Sequence, residues 1–190
     1  MNLVAAATLP LNAQTAEQSL DLLGLNPGQT LLITGAAGGL GAFTVSLARE
    51  RRLRIIATAS ASDETLVRSL GANFFIPREE DLAQAVHSIV PDGVDGVLDA
   101  AHAAEALAGV RDDGSFVAVN YPHTPETTRG IKVHTIQVLH DGKELSRLVK
   151  AVDDGKLSLR VAKTLPLAEA AEAHRLLEKG GTKGKIVLIP

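Results

Sequence analysis

The chain has 190 residues, a formal net charge of −3, 3% aromatic residues and no cysteine. That length suits one domain with a two- or three-layer core. The missing cysteine excludes disulfides and thiolate metal ligands, and no basic stripe or set of aromatic platforms offers a nucleic-acid surface. No apolar run approaches the roughly 20 residues that span a bilayer. The segment Met1–Ala7 lacks the basic start of a secretory leader, so a cytoplasmic location without membrane contact is expected.

The chain alternates apolar runs with amphipathic stretches. Residues 12–23 carry Leu20, Leu22 and Leu23 and read as a helix, which Asn26-Pro27-Gly28 ends as a turn. A strand at 30–34 precedes a helix at 39–51, where Leu40, Phe43, Thr44, Leu47 and Ala48 recur at helical spacing. A second strand at 54–58 leads to a helix with Ser62 as its expected cap, Asp63 and Glu64 in its first turn and Gly71 at its end. A short strand at 74–76 and a helix at 79–90 follow. The fourth strand is 93–99 and the fifth 115–119, after an expected turn at Asp112-Asp113-Gly114. A sixth strand is placed at Ile131–Leu139, a helix at 142–154, a strand at 159–163, a helix at 167–179 and a last strand at 185–189. Alternating strands and helices imply right-handed crossovers and a parallel sheet. The class expected is α/β: a doubly wound parallel sheet in a three-layer α/β/α (Rossmann) arrangement, with its ligand at the C-terminal ends of the strands.

The run Leu31-Leu32-Ile33-Thr34-Gly35-Ala36-Ala37-Gly38-Gly39-Leu40-Gly41 carries the most chemistry. It reads as a buried strand, a small-residue turn and a helix start. Such a turn brings backbone amides to a pyrophosphate, and the helix adds unpaired N–H groups and a positive dipole end. Ala36 stands where the first glycine of G-x-G-x-x-G would be, leaving A-x-G-x-x-G preceded by Gly35. The flanking strand and helix give the pattern its weight. Gly35, Ala36, Ala37, Gly38, Gly39, Leu40 and Gly41 are therefore candidate cofactor-binding residues.

With these elements in order, the chain resembles the medium-chain dehydrogenase/reductase superfamily, and within it the zinc-independent quinone oxidoreductase branch. The resemblance rests on Ala7-Thr8-Leu9-Pro10-Leu11, Leu25-Asn26-Pro27-Gly28-Gln29-Thr30, the glycine turn, Ala57-Thr58-Ala59-Ser60, Leu70-Gly71-Ala72 and Val94–Asp99. It continues through Leu165-Pro166-Leu167-Ala168-Glu169-Ala170-Ala171-Glu172-Ala173-His174 and Gly184-Lys185-Ile186-Val187-Leu188, and so covers almost the whole chain. Family members carry an N-terminal GroES-like catalytic domain, and this chain begins where that domain hands over to the cofactor domain. The resemblance thus implies a cofactor domain at residues 1–154. Residues 155–190 would be a C-terminal remnant that in relatives packs with the catalytic domain.

NAD sites place an acid at the end of the second strand to hold the ribose 2′-OH. By the family pattern that position is Ala59, followed by Ser60, which favours NADP(H) over NAD(H). The resemblance places Arg78 where many relatives carry a tyrosine, and its guanidinium can meet a 2′-phosphate. It also places Asp99 near the nicotinamide ribose, although Asp99 serves equally well as an acceptor for backbone N–H groups after the fourth strand. Asn120, with Tyr121, follows the fifth strand toward the nicotinamide end, where a simple turn is the competing reading.

The six histidines have no ligand spacing, so no metal site is expected. The lone Tyr121 is followed by Pro125 rather than lysine four residues on, which excludes the short-chain dehydrogenase pair; no P-loop and no G-x-S-x-G elbow occurs. Two functions stay open. One is an oxidoreductase domain holding NADPH for hydride transfer to a quinone, enone or similar carbonyl compound. No catalytic residue is assigned to it, and the chain alone would turn over slowly or not at all. The other is a non-catalytic nucleotide-binding or assembly domain. The resemblance implies a homodimer through Ile131–Leu139, an apolar edge that seeks a partner. A methyltransferase would need an acid on the second strand, and Ala59 argues against it.

Overall fold

A computed structural model describes residues 2–119 and 124–190. Six strands form one parallel sheet: β1 (Thr30–Ile33), β2 (Arg54–Ala59), β3 (Phe74–Pro77), β4 (Val94–Asp99), β5 (Val110–Ala118) and β6 (Lys132–Thr135). Their order is β3-β2-β1-β4-β5-β6, the doubly wound arrangement that the alternation of elements implies. The main helices are α2 (Pro10–Leu23), α3 (Gly39–Glu50), α4 (Glu64–Leu70), α5 (Leu82–Ile89) and α6 (Gly142–Asp153), after a single turn α1 (Leu3–Ala6).

Alternation along β1 sorts the core into two layers. Leu31 and Ile33 pack with Ala13 and Leu20 of α2, Val45 of α3, Val67 of α4 and Leu148 of α6. Leu32 points the other way, into a cluster with Ile56, Phe116, Val86 of α5 and Ala106. Every residue of β1 is buried, which is why the central strand reads as one unbroken apolar run. Each helix is also set by its ends. Pro10 opens α2, and Gly24 closes it at φ 62°, donating its N–H to Leu20 and Asp21.

Several boundaries differ from the sequence expectation. Ser62 makes no cap: residues 61–63 form a 3-10 turn, and α4 starts at Glu64 without a side-chain cap. α5 starts three residues later than expected, because the Asp81 carboxylate accepts the Gln84 N–H and fixes the first turn there. The expected turn at Asp112–Gly114 lies inside β5, where the register with β4 breaks between Val94 and Gly96. β5 spends three more residues than β4 across that break, and Asp113 within it takes φ 57°. The sixth strand is only four residues long, short of the span 131–139. The C-terminal residues form their own parallel pair, β7 (Val161–Pro166) and β8 (Lys185–Ile189), crossed by α7 (Ala170–Lys179).

Asp95, at the start of β4, ties three strands together. Its carboxylate accepts the Thr30 N–H and the Gln29 amide, each at 2.8 Å, and Arg111 Nε at 2.9 Å. Burial works to raise its pKa, but the bonds from Thr30, Arg111 and Gln29 outweigh that and hold it below 3.8. The stability it contributes is therefore complete above the unfolded pKa and is lost as pH falls through the lower folded one. Urea unfolding of Asp95→Asn should show a clear deficit against the parent at neutral pH and a shrinking one below about pH 4. A deficit independent of pH would contradict this.

Candidate functional site

The sheet order reverses between β1 and β4, and a crevice opens at their C-terminal ends. Thr34, one residue past β1, donates its backbone N–H to Leu98 at 3.1 Å and its hydroxyl to Asp99 Oδ1 at 2.6 Å. The hydroxyl oxygen accepts the N–H groups of Ala100 and Ala101, and Asp99 Oδ1 accepts those of Ala101 and Ala103. Only 2% of Asp99 is exposed. Its carboxylate is thus committed to shaping the loop after β4 and does not line the cavity.

The glycine turn sits against this loop. Gly35 adopts φ 61°, and a Cβ there would come within 3.2 Å of the Ala100 carbonyl oxygen. The Ala36 N–H bonds Thr58 O at 3.1 Å, which ties the turn to β2, and Ala36 is fully buried. Gly38 precedes α3 in an extended conformation, and no side chain caps the helix. Its first amides are thus left for an anion, as the sequence pattern implies. A Cβ at Gly41 would overlap the Gly35 carbonyl oxygen and lie 2.7 Å from Ala36 Cα. Glycine there lets the helix start against the turn itself.

Above the turn is a cavity of about 590 Å³, within the roughly 300–1,000 Å³ of small-molecule sites. Gly35, Ala37 and Gly38 line one side; Ala59, Ser60 and Asp63 line another. Arg78 stands at the rim, its side chain 69% exposed and its Nε 3.2 Å from Glu79. Ser60 precedes the 3-10 turn without capping it through its hydroxyl. Ala36 lies beneath the cavity; Gly39, Leu40 and Gly41 form the first turn of α3. Asn120 falls outside the described residues.

The last wall comes from a part of the chain that sequence reasoning did not assign to the site. Lys179 to Lys183 line the cavity as well. Lys183 pairs with the buried Asp63, and Arg160 donates to the Ala37 carbonyl oxygen at 2.9 Å. Lys185 lies beside Gly39. Burial pushes the pKa of the Lys185 ammonium down. Burial also lowers that of Arg160, with the charge of Asp63 partly offsetting it. The signal available in sequence was the run Gly180-Gly181-Thr182-Lys183-Gly184-Lys185, small residues alternating with cations. Among the described residues, no three metal-ligating side chains gather at one place.

The family model described as zinc-binding dehydrogenase matches residues 70–188. The chain belongs to the medium-chain dehydrogenase/reductase superfamily. It is 29% identical to the 2-methylene-furan-3-one reductase of Solanum lycopersicum, over all of this chain and 48% of that protein. It is 30% identical to the chloroplastic NADPH-dependent alkenal/one oxidoreductase of Arabidopsis thaliana, over 97% of this chain and 47% of that one. The crystal structure of an NAD-dependent alcohol dehydrogenase superposes on all of this chain and 60% of its own with a TM-score of 0.86, at 28% identity. The chain therefore spans about half the length of the curated relatives it matches. The crevice lies at the switch point of the sheet, where doubly wound folds hold their ligands.

Asp99→Ala removes an acceptor from one buried hydroxyl and two part-buried amides. It should cost about 3 kcal/mol in urea unfolding, the scale of leaving such donors unpaired. A loss under about 1 kcal/mol would show that the loop does not depend on this carboxylate.

Proposed function

We propose that this chain is the NADP(H)-binding domain of an oxidoreductase that transfers hydride between nicotinamide and a quinone, enone or similar carbonyl compound. One observation carries the reading. The cavity joins an uncapped glycine turn to a β2 end that offers Ala59 and Ser60 rather than an acid, with Arg78 and Lys179 close by. The turn and the first amides of α3 would receive the pyrophosphate, and the half-buried, cationic Lys185 beside Gly39 adds charge of the right sign. Ser60 and Arg78 would meet the 2′-phosphate. Asp99 would act on the nicotinamide ribose only through the loop it holds. Bound there, the cofactor supplies the hydride. The chain's own residues bind it, orient it and keep the 2′-phosphate end electropositive. The similarity to the 2-methylene-furan-3-one reductase of Solanum lycopersicum and the NADPH-dependent alkenal/one oxidoreductase of Arabidopsis thaliana supports a conjugated carbonyl substrate.

A second reading, a nucleotide-binding domain that serves assembly rather than turnover, draws on β6. That strand is last in the sheet order, so one hydrogen-bonding edge has no neighbour in the sheet. A homodimer through this edge would cover it.

Titration of the purified chain with NADPH and NADH separately tests the proposal. NADPH is expected to bind at least about tenfold more tightly, roughly 1.4 kcal/mol. Tighter binding of NADH, or binding of neither, would overturn it. Sedimentation of the same samples at dimer mass would support pairing through β6; a monomer at high concentration would contradict it. Saturable quinone reduction by the chain alone would contradict the expectation of slow turnover.

A further inference from the structure

Asp63 is a buried carboxylate in a cavity proposed to receive a polyanion. It lies four residues beyond Ala59, on the 3-10 turn that follows β2, and only 8% of its side chain is exposed. It therefore occupies the loop whose charge selects between a ribose 2′-OH and a 2′-phosphate. Left alone, such a carboxylate would accept a bond from the hydroxyl and repel the phosphate.

It is not left alone. Lys183 reaches it from the C-terminal segment and forms an ion pair, and Arg160 lies close enough for its charge to interact with Asp63. Both cations come from outside the six-stranded sheet: Arg160 directly precedes β7, and Lys183 lies two residues before β8. The segment that carries Lys183 is flanked by Gly181 and Gly184, at φ 74° and 132°. A Cβ at Gly184 would press on the Arg160 carbonyl oxygen, so glycine there lets the two cationic stretches run against each other.

We infer that Asp63 and Lys183 form a charge couple that sets the cofactor selectivity of this site, with Lys183 masking a carboxylate that would otherwise favour the cofactor lacking the 2′-phosphate. The inference rests on the proposed NADP(H) site. In it, selectivity is supplied from two distant parts of the chain: the acid follows β2, and the cation that silences it precedes β8. The absent acid at Ala59 is then only half of the selection. The other half is an acid that is present but neutralised.

The test is a binding cycle on the full chain, read from nicotinamide fluorescence with NADPH and NADH and independent of turnover. Lys183→Met leaves Asp63 unmasked. It should shift the ratio of the two dissociation constants toward NADH by about 30-fold, while Lys183→Arg keeps the ratio near that of the parent. The double variant Asp63→Asn with Lys183→Met should return the ratio to within about threefold of the parent. If the double variant stays shifted, Lys183 acts on the phosphate directly, and the couple is overturned. A Lys183→Met ratio within about twofold of the parent overturns it as well. Lys183 is half exposed, so its replacement leaves the core intact. A parent chain that prefers NADH would contradict the NADP(H) reading, yet the shift on Lys183→Met would still report on the couple.

Discussion

The start of α3 rests directly on the turn that leaves β1, and the rest of the site depends on that contact. No side chain fits between Gly41 and the Gly35–Ala36 backbone. The helix therefore begins where the strand stops, and its uncapped end stays at the switch point of the sheet. A helix one residue further off would lose both the amides and the close approach of a phosphate. The substitution of Ala36 for the first glycine of the usual fingerprint is compatible with this geometry. Ala36 is fully buried under the turn and bonded to Thr58, while the positive φ falls on Gly35.

Two polar devices hold the frame around that contact. Thr34 and Asp99 lock the C-terminal ends of β1 and β4 and shape the loop between β4 and the 3-10 turn at 104–109. Asp95 does the corresponding work at the opposite end of the same strands, gathering Thr30, Gln29 and Arg111. Both are acids surrounded by donors rather than chemical groups on offer. Such groups strengthen a fold only when their acceptor capacity is used, which is the case here.

The six parallel strands and the glycine turn were legible in the sequence, because each depends on local signals: apolar runs, Gly at turns and helical spacing. Boundaries failed where a side chain decided them. Asp81 reset the start of α5, and the expected turn at Asp112–Gly114 is an out-of-register excursion within β5. The site was half legible. Ser60 and Arg78 follow from their place after β2 and β3, and both line the cavity. Asp63 looked like a helix-start acid and proved to be a buried partner of Lys183. Arg160, Lys183 and Lys185 were out of reach because they meet the turn and Asp63 from the far end of the chain, where no periodicity connects them. Asp99 shows the reverse: a residue in the expected place whose carboxylate is used by the loop itself.

The proposed cofactor site therefore draws on two parts of the chain, a local turn that sequence declares and a C-terminal segment that only the fold brings to it. Backbone amide shifts on titration with NADPH test that claim most directly. The account predicts the largest shifts at Gly35 to Gly41, at Ser60 and Asp63, and at Gly181 to Lys185, all saturating together. Shifts confined to the glycine turn, with the C-terminal segment unmoved, would contradict it.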